Sequence, residues 1–398
     1  MSITILIDLD DTLLSNSMDT FIPAYIGGLG KFLGNRIKPE LTAQTLLSAT
    51  QKMFENTRPD RTLKETFDPA FYPVLGVTES EMREPIDQFY SHDFSKIKNL
   101  TQTRPKAINL IKSFIERDYT IGIATNPLFP RTATMQRLSW ADLPAENNQY
   151  GLVSSYEDFH YAKPNPAYYA EFLAKLGWPR GQVVMIGHDP VHDIEGASGL
   201  GLATFWISDQ SADFDKTAPT RHATGNLDDV IPWLDSLPEQ DLLPQLSEPS
   251  ALIAMLRGIS AAIDSLLRNR LTDVWLQRPH GDAWSLTEIM CHLRDVEREI
   301  NIPRLHQVLH ENNPFITGID SDPWAKERNY QLQNGPQALR DFLSARIETL
   351  DILVTLSNED WQRHVQHTIL GPTHLQEIIS IIAQHDRLHL RQIFSNLG

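Results

Sequence analysis

The stretch ITILIDLDDTLL, residues 3–14, decides the fold. Its first half is an apolar run rich in β-branched residues, the composition of a strand buried on both faces. Its second half places three carboxylates, Asp8, Asp10 and Asp11, within four consecutive positions. In parallel α/β sheets, ligands bind outside the carboxyl ends of the strands, so acids at the point where a strand gives way to its loop face a crevice. Asp8 and Asp10 are two apart, and because the strand is ending both can turn toward that crevice. Carboxylates this close repel one another unless a cation lies between them, and hard oxygen ligands select Mg²⁺.

The same punctuation recurs along the chain. YTIGIAT (119–125), QVVMIG (182–187) and LATFWIS (202–208) read as further buried strands. Helical patterns separate them. RPKAINLIKSFIERD (104–118) gathers Ile108, Leu110, Ile111 and Ile115 on one side, and PAYYAEFLAKLG (166–177) stops at Gly177. Strands alternating with helices predict a Rossmann-like parallel sheet in an α/β domain over residues 1–237. One segment, about 15–100, has no clear strand. It carries several helical patterns and the capping box Thr78-x-x-Glu81, which predicts a helical insertion after the first strand.

Length and charge narrow the rest. The 398 residues exceed what one core usually supports. PEQDLLPQLSEPS (238–250), with three prolines, is the best linker, and beyond it residues 251–398 show long amphipathic helical patterns and no convincing strand. An all-α four-helix bundle is expected there. The formal charge of −16 disfavours nucleic acid and anionic membranes as partners, since both need dense positive charge. A lone cysteine, Cys291, allows no intrachain disulfide. The start of the chain lacks a charged leader and a long apolar core, and no run reads as long and apolar enough to span a bilayer. The expectation is a cytoplasmic protein.

The strand ends carry more chemistry. YTIGIAT ends in Thr125-Asn126, a hydroxyl and an amide suited to phosphoryl oxygens. Lys163, in the proline-held loop YAKPNP, offers an ammonium to neutralise phosphate charge. GHDPVHD then brings Asp189 and Asp193, each preceded by a histidine, His188 and His192.

This order of motifs resembles the haloacid dehalogenase superfamily of phosphatases over about residues 1–237. Asp8-Leu-Asp10-Asp-Thr12 resembles motif I, Thr125 motif II, Lys163 motif III, and Asp189 with Asp193 motif IV. The helical insertion is similar to that family's C1-type cap. The resemblance implies that Asp8 is a nucleophile forming an aspartyl-phosphate and that Asp10 is the general acid and base. It implies that Thr12, Thr125, Asn126 and Lys163 hold the substrate phosphoryl group, and that Mg²⁺ lies against Asp8, Asp10 and a motif IV acid. True dehalogenases lack an acid at the position of Asp10, so a phosphatase is favoured. Motif IV departs in register: many relatives place an acid directly after the glycine, where this chain has His188. Asp189, four before Asp193, is the expected metal acid, with Asp193 supporting the site by holding Lys163.

In the C-terminal region, Ser285 and Glu288 form a capping box ahead of a stripe of Leu286, Ile289, Leu293 and Val296, with His292 at its edge. In LQEIISIIAQHDRLHLRQI the stripe is Ile378, Ile379, Ile382, Leu390 and Ile393, and His385 and His389 fall on the same side, about 40° apart and one turn along. His306 and His310 share that spacing, but Pro303 punctuates their helix and they have no third partner, so they read as structural or surface residues. W-S-x-x-E-I-x-x-H-L-x-D-x-E, followed by H-x-x-x-H on the last helix, resembles the DinB-like bundle family. That implies a three-imidazole site of His292, His385 and His389 for Zn²⁺, Ni²⁺ or Fe²⁺. The overall expectation is a phosphatase of a small phosphorylated metabolite fused to this bundle. The alternatives make the bundle a metal-dependent thiol transferase or hydrolase, or a non-catalytic metal-binding or dimerisation module, the last giving a homodimer through the bundle.

Overall fold

The central strand is the apolar run that ends in Asp8. In the computed structural model, which describes residues 3–208, 220–281 and 283–398, Thr4–Ile7 (β1) is buried along its whole length. It pairs in parallel with Thr120–Ile123 (β2) on one side and Val183–Gly187 (β4) on the other. Leu152–Val153 (β3), Ala203–Ile207 (β5) and His222–Gly225 (β6) complete a six-stranded parallel sheet of order β3-β2-β1-β4-β5-β6. Strand order therefore reverses about β1 and β4, which puts the binding crevice outside the carboxyl ends of those two strands. The sequence missed β3 and β6. The first has only two residues, and the second is an edge strand of mixed polarity, so neither carries an apolar run.

After β1 the chain departs at Leu14–Ser15 and returns at Gln102–Thr103, and these two pieces pair antiparallel. Between them lies the helical insertion: Met18–Leu33 (α1), Pro39–Phe54 (α2), Leu63–Phe71 (α3) and Glu79–Gln88 (α4). Capping boxes at Thr62/Glu65 and Thr78/Glu81 start the last two. Buried Phe21, Tyr25, Phe89, Tyr90 and Phe94 pack with Phe129 and Trp140 in one aromatic cluster. Helix Pro105–Glu116 buries Ala107, Leu110, Ile111 and Phe114, while Ile115, expected on the buried side, is exposed because Phe114 takes the inward position.

Packing divides the chain into two units: Met1–Thr57, Arg61–Tyr168 and Pro179–Pro244 in one, Arg58–Asp60, Tyr169–Trp178 and Gln245–Gly398 in the other. Leu237 and Leu242 are buried in the first unit's core, so part of the 238–250 stretch packs there.

The second unit is built on Pro249–Leu267 (α5), Leu286–Val296 (α6), Gly335–Leu353 (α7) and Leu375–Leu397 (α8). Two expectations are corrected. A small sheet of Phe315–Ile316, His364–His367 and Gly371–His374 is present where no strand was expected; its strands are too short and polar to show a period. Among the described residues one helix, α5, is long and apolar enough to cross a membrane, with a mean hydropathy of 1.5, contrary to the sequence reading; 72% of that window is buried within the protein. The unit's core also holds ions. Arg346, fully buried, donates to both carboxylate oxygens of Glu297 at 2.8 Å and pairs with Asp386.

Candidate active site and bundle metal centre

Hydrogen bonding between β1 and β4 sets the level of the first site. The Asp8 amide donates to the Ile186 carbonyl at 3.0 Å, so Asp8 leaves the sheet beside Gly187 and His188. Trp206 on β5 donates from Nε1 to the His188 carbonyl at 2.7 Å and fixes that loop. Lys163 reaches in from its loop and is almost wholly buried. Its Nζ lies 2.9 Å from Asp8 Oδ1 and 2.6 Å from Asp193 Oδ1. On the other side of the same carboxylates, His188 Nδ1 is 3.4 Å from Asp8 Oδ2 and 3.9 Å from Asp193 Oδ2. The Thr12 hydroxyl donates to Asp8 Oδ2 at 3.2 Å, so it is turned to that carboxylate.

These contacts separate the two buried acids. Burial alone would raise the Asp8 carboxyl, but the Lys163 ammonium, then the His188 ring, outweigh it and hold Asp8 well below the usual carboxylate range. Asp193 moves the other way, pushed up by burial and by the Asp8 charge despite Lys163. Burial would lower the His188 ring, yet its hydrogen bond to Asp8 and the charges of Asp8 and Asp193 raise it to about 9.

Asp10 is held differently. Asn16 Nδ2 donates to Asp10 Oδ1 at 2.8 Å, and the buried Arg137 guanidinium pairs with Oδ2 while resting 4.5 Å over the Phe129 ring. Arg137, on helix Arg131–Trp140, was absent from the sequence reading. Its signal is weak, a lone arginine on a helix after motif II, and only the fold brings it to Asp10. Asp11 sits at φ 51°, where its carboxylate accepts from the Asn16 amide at 2.7 Å and closes the turn. Thr125 is buried behind the crevice, its carbonyl accepting from Ser154 and Tyr168. Asn126 lines the cavity, and its Oδ1 accepts from the Lys163 amide at 3.2 Å.

Asp189 lies apart from this group. Its carboxylate caps the following turn, accepting from the Val191 and His192 amides at 2.9 and 2.8 Å, and meets the His192 ring at 3.0 Å. The donor atoms that converge within 4.8 Å of one another belong to Asp8, His188 and Asp193. The structure thus puts His188, and not Asp189, beside Asp8. The physical reason is the turn: an acid two residues before a free amide is captured as its cap.

The cavity over these groups has a volume of about 450 Å³, with Met18, Ile22 and Phe54 of the helical insertion as its far wall. It shares Ile22, Leu128 and Phe129 with a smaller apolar annex of about 110 Å³, walled by Tyr25, Phe67, Phe71 and Tyr90 and lacking any charged side chain.

In the bundle, α6 and α8 bring three imidazoles together. His292 Nε2 and His389 Nε2 each lie 3.1 Å from His385 Nε2. That spacing is what cis ligands at about 2.1 Å from one ion require. Burial, then the neighbouring rings, lower His292 to about 3 and His389 to about 4, so both rings are neutral at pH 7. His389 Nδ1 is held by Gln392 Oε1 at 2.8 Å, and Trp284 stacks on that ring. His306 and His310 stay apart from this set: the His310 ring meets the His306 carbonyl at 2.8 Å. Each of the two sets has donor atoms placed so that it could hold a divalent cation.

The fold and this cluster define a class. The haloacid dehalogenase-like hydrolase model matches residues 5–207, and the chain belongs to that family. Residues 255–393 match the DinB superfamily. Pyrimidine 5'-nucleotidase PynA of Streptococcus pneumoniae is 29% identical over 136 residues, 34% of this chain and 55% of that protein, so the chain spans about half the length of this relative. Among solved structures, a phosphatase of the same family from Thermococcus onnurineus aligns with 59% of this chain and 99% of its own at 17% identity and a TM-score of 0.38. YfiT from Bacillus subtilis, described as a probable metal-dependent hydrolase with an unusual four-helix bundle topology, aligns with 39% and 88% at 15% identity and a TM-score of 0.35.

Proposed function

We propose that the N-terminal region, residues 1–237, hydrolyses a small phosphomonoester by way of a phosphoryl group carried on Asp8. One observation carries this reading: a buried carboxylate at the head of the switch-point strand, kept ionised by a buried ammonium and within reach of an open cavity. An Asp8 oxygen attacks phosphorus, and the bond to the leaving oxygen breaks. In the enzyme form that carries a proton on Asp10, that proton passes to the leaving oxygen and the alcohol departs. Asp10 then takes a proton from water as the water oxygen attacks phosphorus. The acyl-phosphate bond breaks, Asp8 is restored and phosphate leaves. Lys163 offsets charge as the phosphoryl group arrives, with Asn126 beside it, while Arg137 and Asn16 hold Asp10 in place. A divalent cation bound at Asp8 and the motif IV residues would supply further charge neutralisation there. Mg²⁺ is the family expectation for that ion.

The organic part of the substrate faces the insertion. The cavity wall already carries Asp11 and Asp19, which oppose a second anionic group, and the apolar annex offers a place for an uncharged alkyl or aromatic portion. Asp8→Asn tests the scheme: hydrolysis across a panel of phosphorylated metabolites should fall by about a thousandfold or more, the scale of losing a covalent nucleophile. Full activity in that variant overturns it.

A second reading is favoured by the three converging imidazoles. Residues 251–398 would hold Zn²⁺, Ni²⁺ or Fe²⁺ at His292, His385 and His389, as a thiol-dependent transferase or hydrolase centre or as a metal-bound structural module. Metal analysis of His385→Ala checks the ligand set; unchanged occupancy rules it out.

A further inference from the structure

We propose that the cation site at the head of the sheet is a mixed carboxylate–imidazole site, formed by Asp8, His188 and Asp193, that takes Mn²⁺, Co²⁺ or Zn²⁺ in preference to Mg²⁺. It deepens the phosphomonoesterase reading and rests on that reading for its purpose alone; the donor geometry stands by itself.

Three observations carry it. First, the two carboxylates are shared in an ordered way. Lys163 engages the Oδ1 atoms of both Asp8 and Asp193, whereas their Oδ2 atoms are the ones nearest His188 Nδ1, at 3.4 and 3.9 Å. The ammonium and the converging donor atoms thus occupy opposite sides of the pair. Ligands on one ion at about 2.1 Å, spread at tetrahedral angles, stand about 3.4 Å apart, so these donors need little movement to close on a cation, and the proton that His188 shares with Asp8 is lost to solvent as the ion enters.

Second, among the described residues no third carboxylate joins the donor atoms that converge here, and the nearby acids have other partners. Asp189 caps a turn through two backbone amides and the His192 ring. Asp10 is held by Asn16 and Arg137, and Asp11 by the Asn16 amide. Recruiting Asp189 would uncap the turn that carries Asp193, whose Oδ2 accepts from the Asp189 amide at 3.0 Å.

Third, His188 is fixed in place and is not a wandering surface ring. Its carbonyl is bonded to Trp206, and its ring meets the Thr12 hydroxyl at 3.4 Å as well as both carboxylates. Replacing one hard oxygen by an imidazole nitrogen changes selectivity in a known direction. Mg²⁺ favours oxygen ligands in a near-ideal octahedron, whereas imidazole suits the later divalent ions.

The test uses the full chain carrying His385→Ala and His389→Ala, so that the bundle supplies no competing imidazole set. Mn²⁺ is added, and electron spin-echo modulation from a directly bound nitrogen is sought. The expected result is modulation from one imidazole nitrogen, absent in the same chain with His188→Asp. Competition against Mg²⁺ gives the second readout. His188→Asp should let Mg²⁺ displace Mn²⁺ at a concentration at least about tenfold lower, the direction that donor hardness dictates. His188→Gln, checked by circular dichroism, replaces His188→Asp if that variant does not fold, and should likewise lose the nitrogen signal. Failure of Mn²⁺, Co²⁺ and Zn²⁺ to bind, bound Mn²⁺ without nitrogen modulation, or a Mg²⁺ preference already present with His188 intact each overturns the proposal. Failure of the hydrolase reading shows up separately, as a chain that binds Mn²⁺ through nitrogen yet cleaves no phosphomonoester.

Discussion

Gly187→Ala probes how tightly the strand end is coupled to the site. A Cβ at position 187 would lie 2.2 Å from Asp193 Oδ2, 2.3 Å from its Cγ and 2.6 Å from its Cβ. Rotating the carboxylate away relieves the first two contacts and leaves the third, so the Asp193 backbone has to move too. Asp193 is 1% exposed, and its position is set by the partners it holds. Any displacement breaks its 2.6 Å pair with Lys163 and its 3.0 Å bond from the Asp189 amide. Overpacking costs about 1–3 kcal/mol, and stripping a partner from a buried ion pair about 3–5 kcal/mol. The lower ends together give about 4 kcal/mol, or a fall in melting temperature of about 8 °C or more for a unit of this size. Thermal denaturation followed by circular dichroism measures it. In an Asp193→Gly background all three clashing atoms are gone, so the added cost of Gly187→Ala should shrink sharply, a coupling that a double-mutant cycle reads directly. A Gly187→Ala chain that melts with the parent, or an equal penalty in both backgrounds, would refute the reasoning.

Three further outcomes are expected. Arg137→Met should lower kcat by about tenfold or more through misplacement of Asp10, with KM little changed and partial rescue in Arg137→Lys; a change in KM alone contradicts a positioning role. Arg346→Met leaves the buried carboxylates of Glu297 and Asp386 without their shared partner, so chemical denaturation should show a loss of about 3–5 kcal/mol in the bundle. Burial pushes the Tyr25 hydroxyl, bonded to Tyr90 at 2.7 Å, up to about 12. A folded value raised above the unfolded one of about 10 means its stabilisation is intact below pH 10 and lost as pH climbs through about 12. Tyrosinate absorbance and loss of helicity should therefore rise together in that window, and ionisation well before unfolding would contradict the burial.

Much of this protein is legible in its sequence because the informative signals are local. An apolar run ending in acids is enough to place Asp8 and Asp10 at the head of a parallel strand, since a fully buried strand needs no partner to be recognised. The capping boxes at Thr78 and Ser285 start helices from side chains three residues apart. The stripe on the last helix puts His385 and His389 on one buried face by period alone. Short or polar elements escaped, β3, β6 and the small sheet of the second unit among them, because their stability comes from neighbours and not from their own pattern. What only tertiary structure decided is which side chains meet. Asp189 and His188 are adjacent, and the sequence favoured the acid; the backbone turn captures Asp189 as a cap and turns His188 toward Asp8. Arg137 reaches Asp10 across 127 positions of chain, a contact that no spacing rule anticipates. Local pattern fixes where a residue sits on its strand or helix, whereas the direction a side chain takes at a strand end depends on hydrogen bonds that form only once the sheet is assembled.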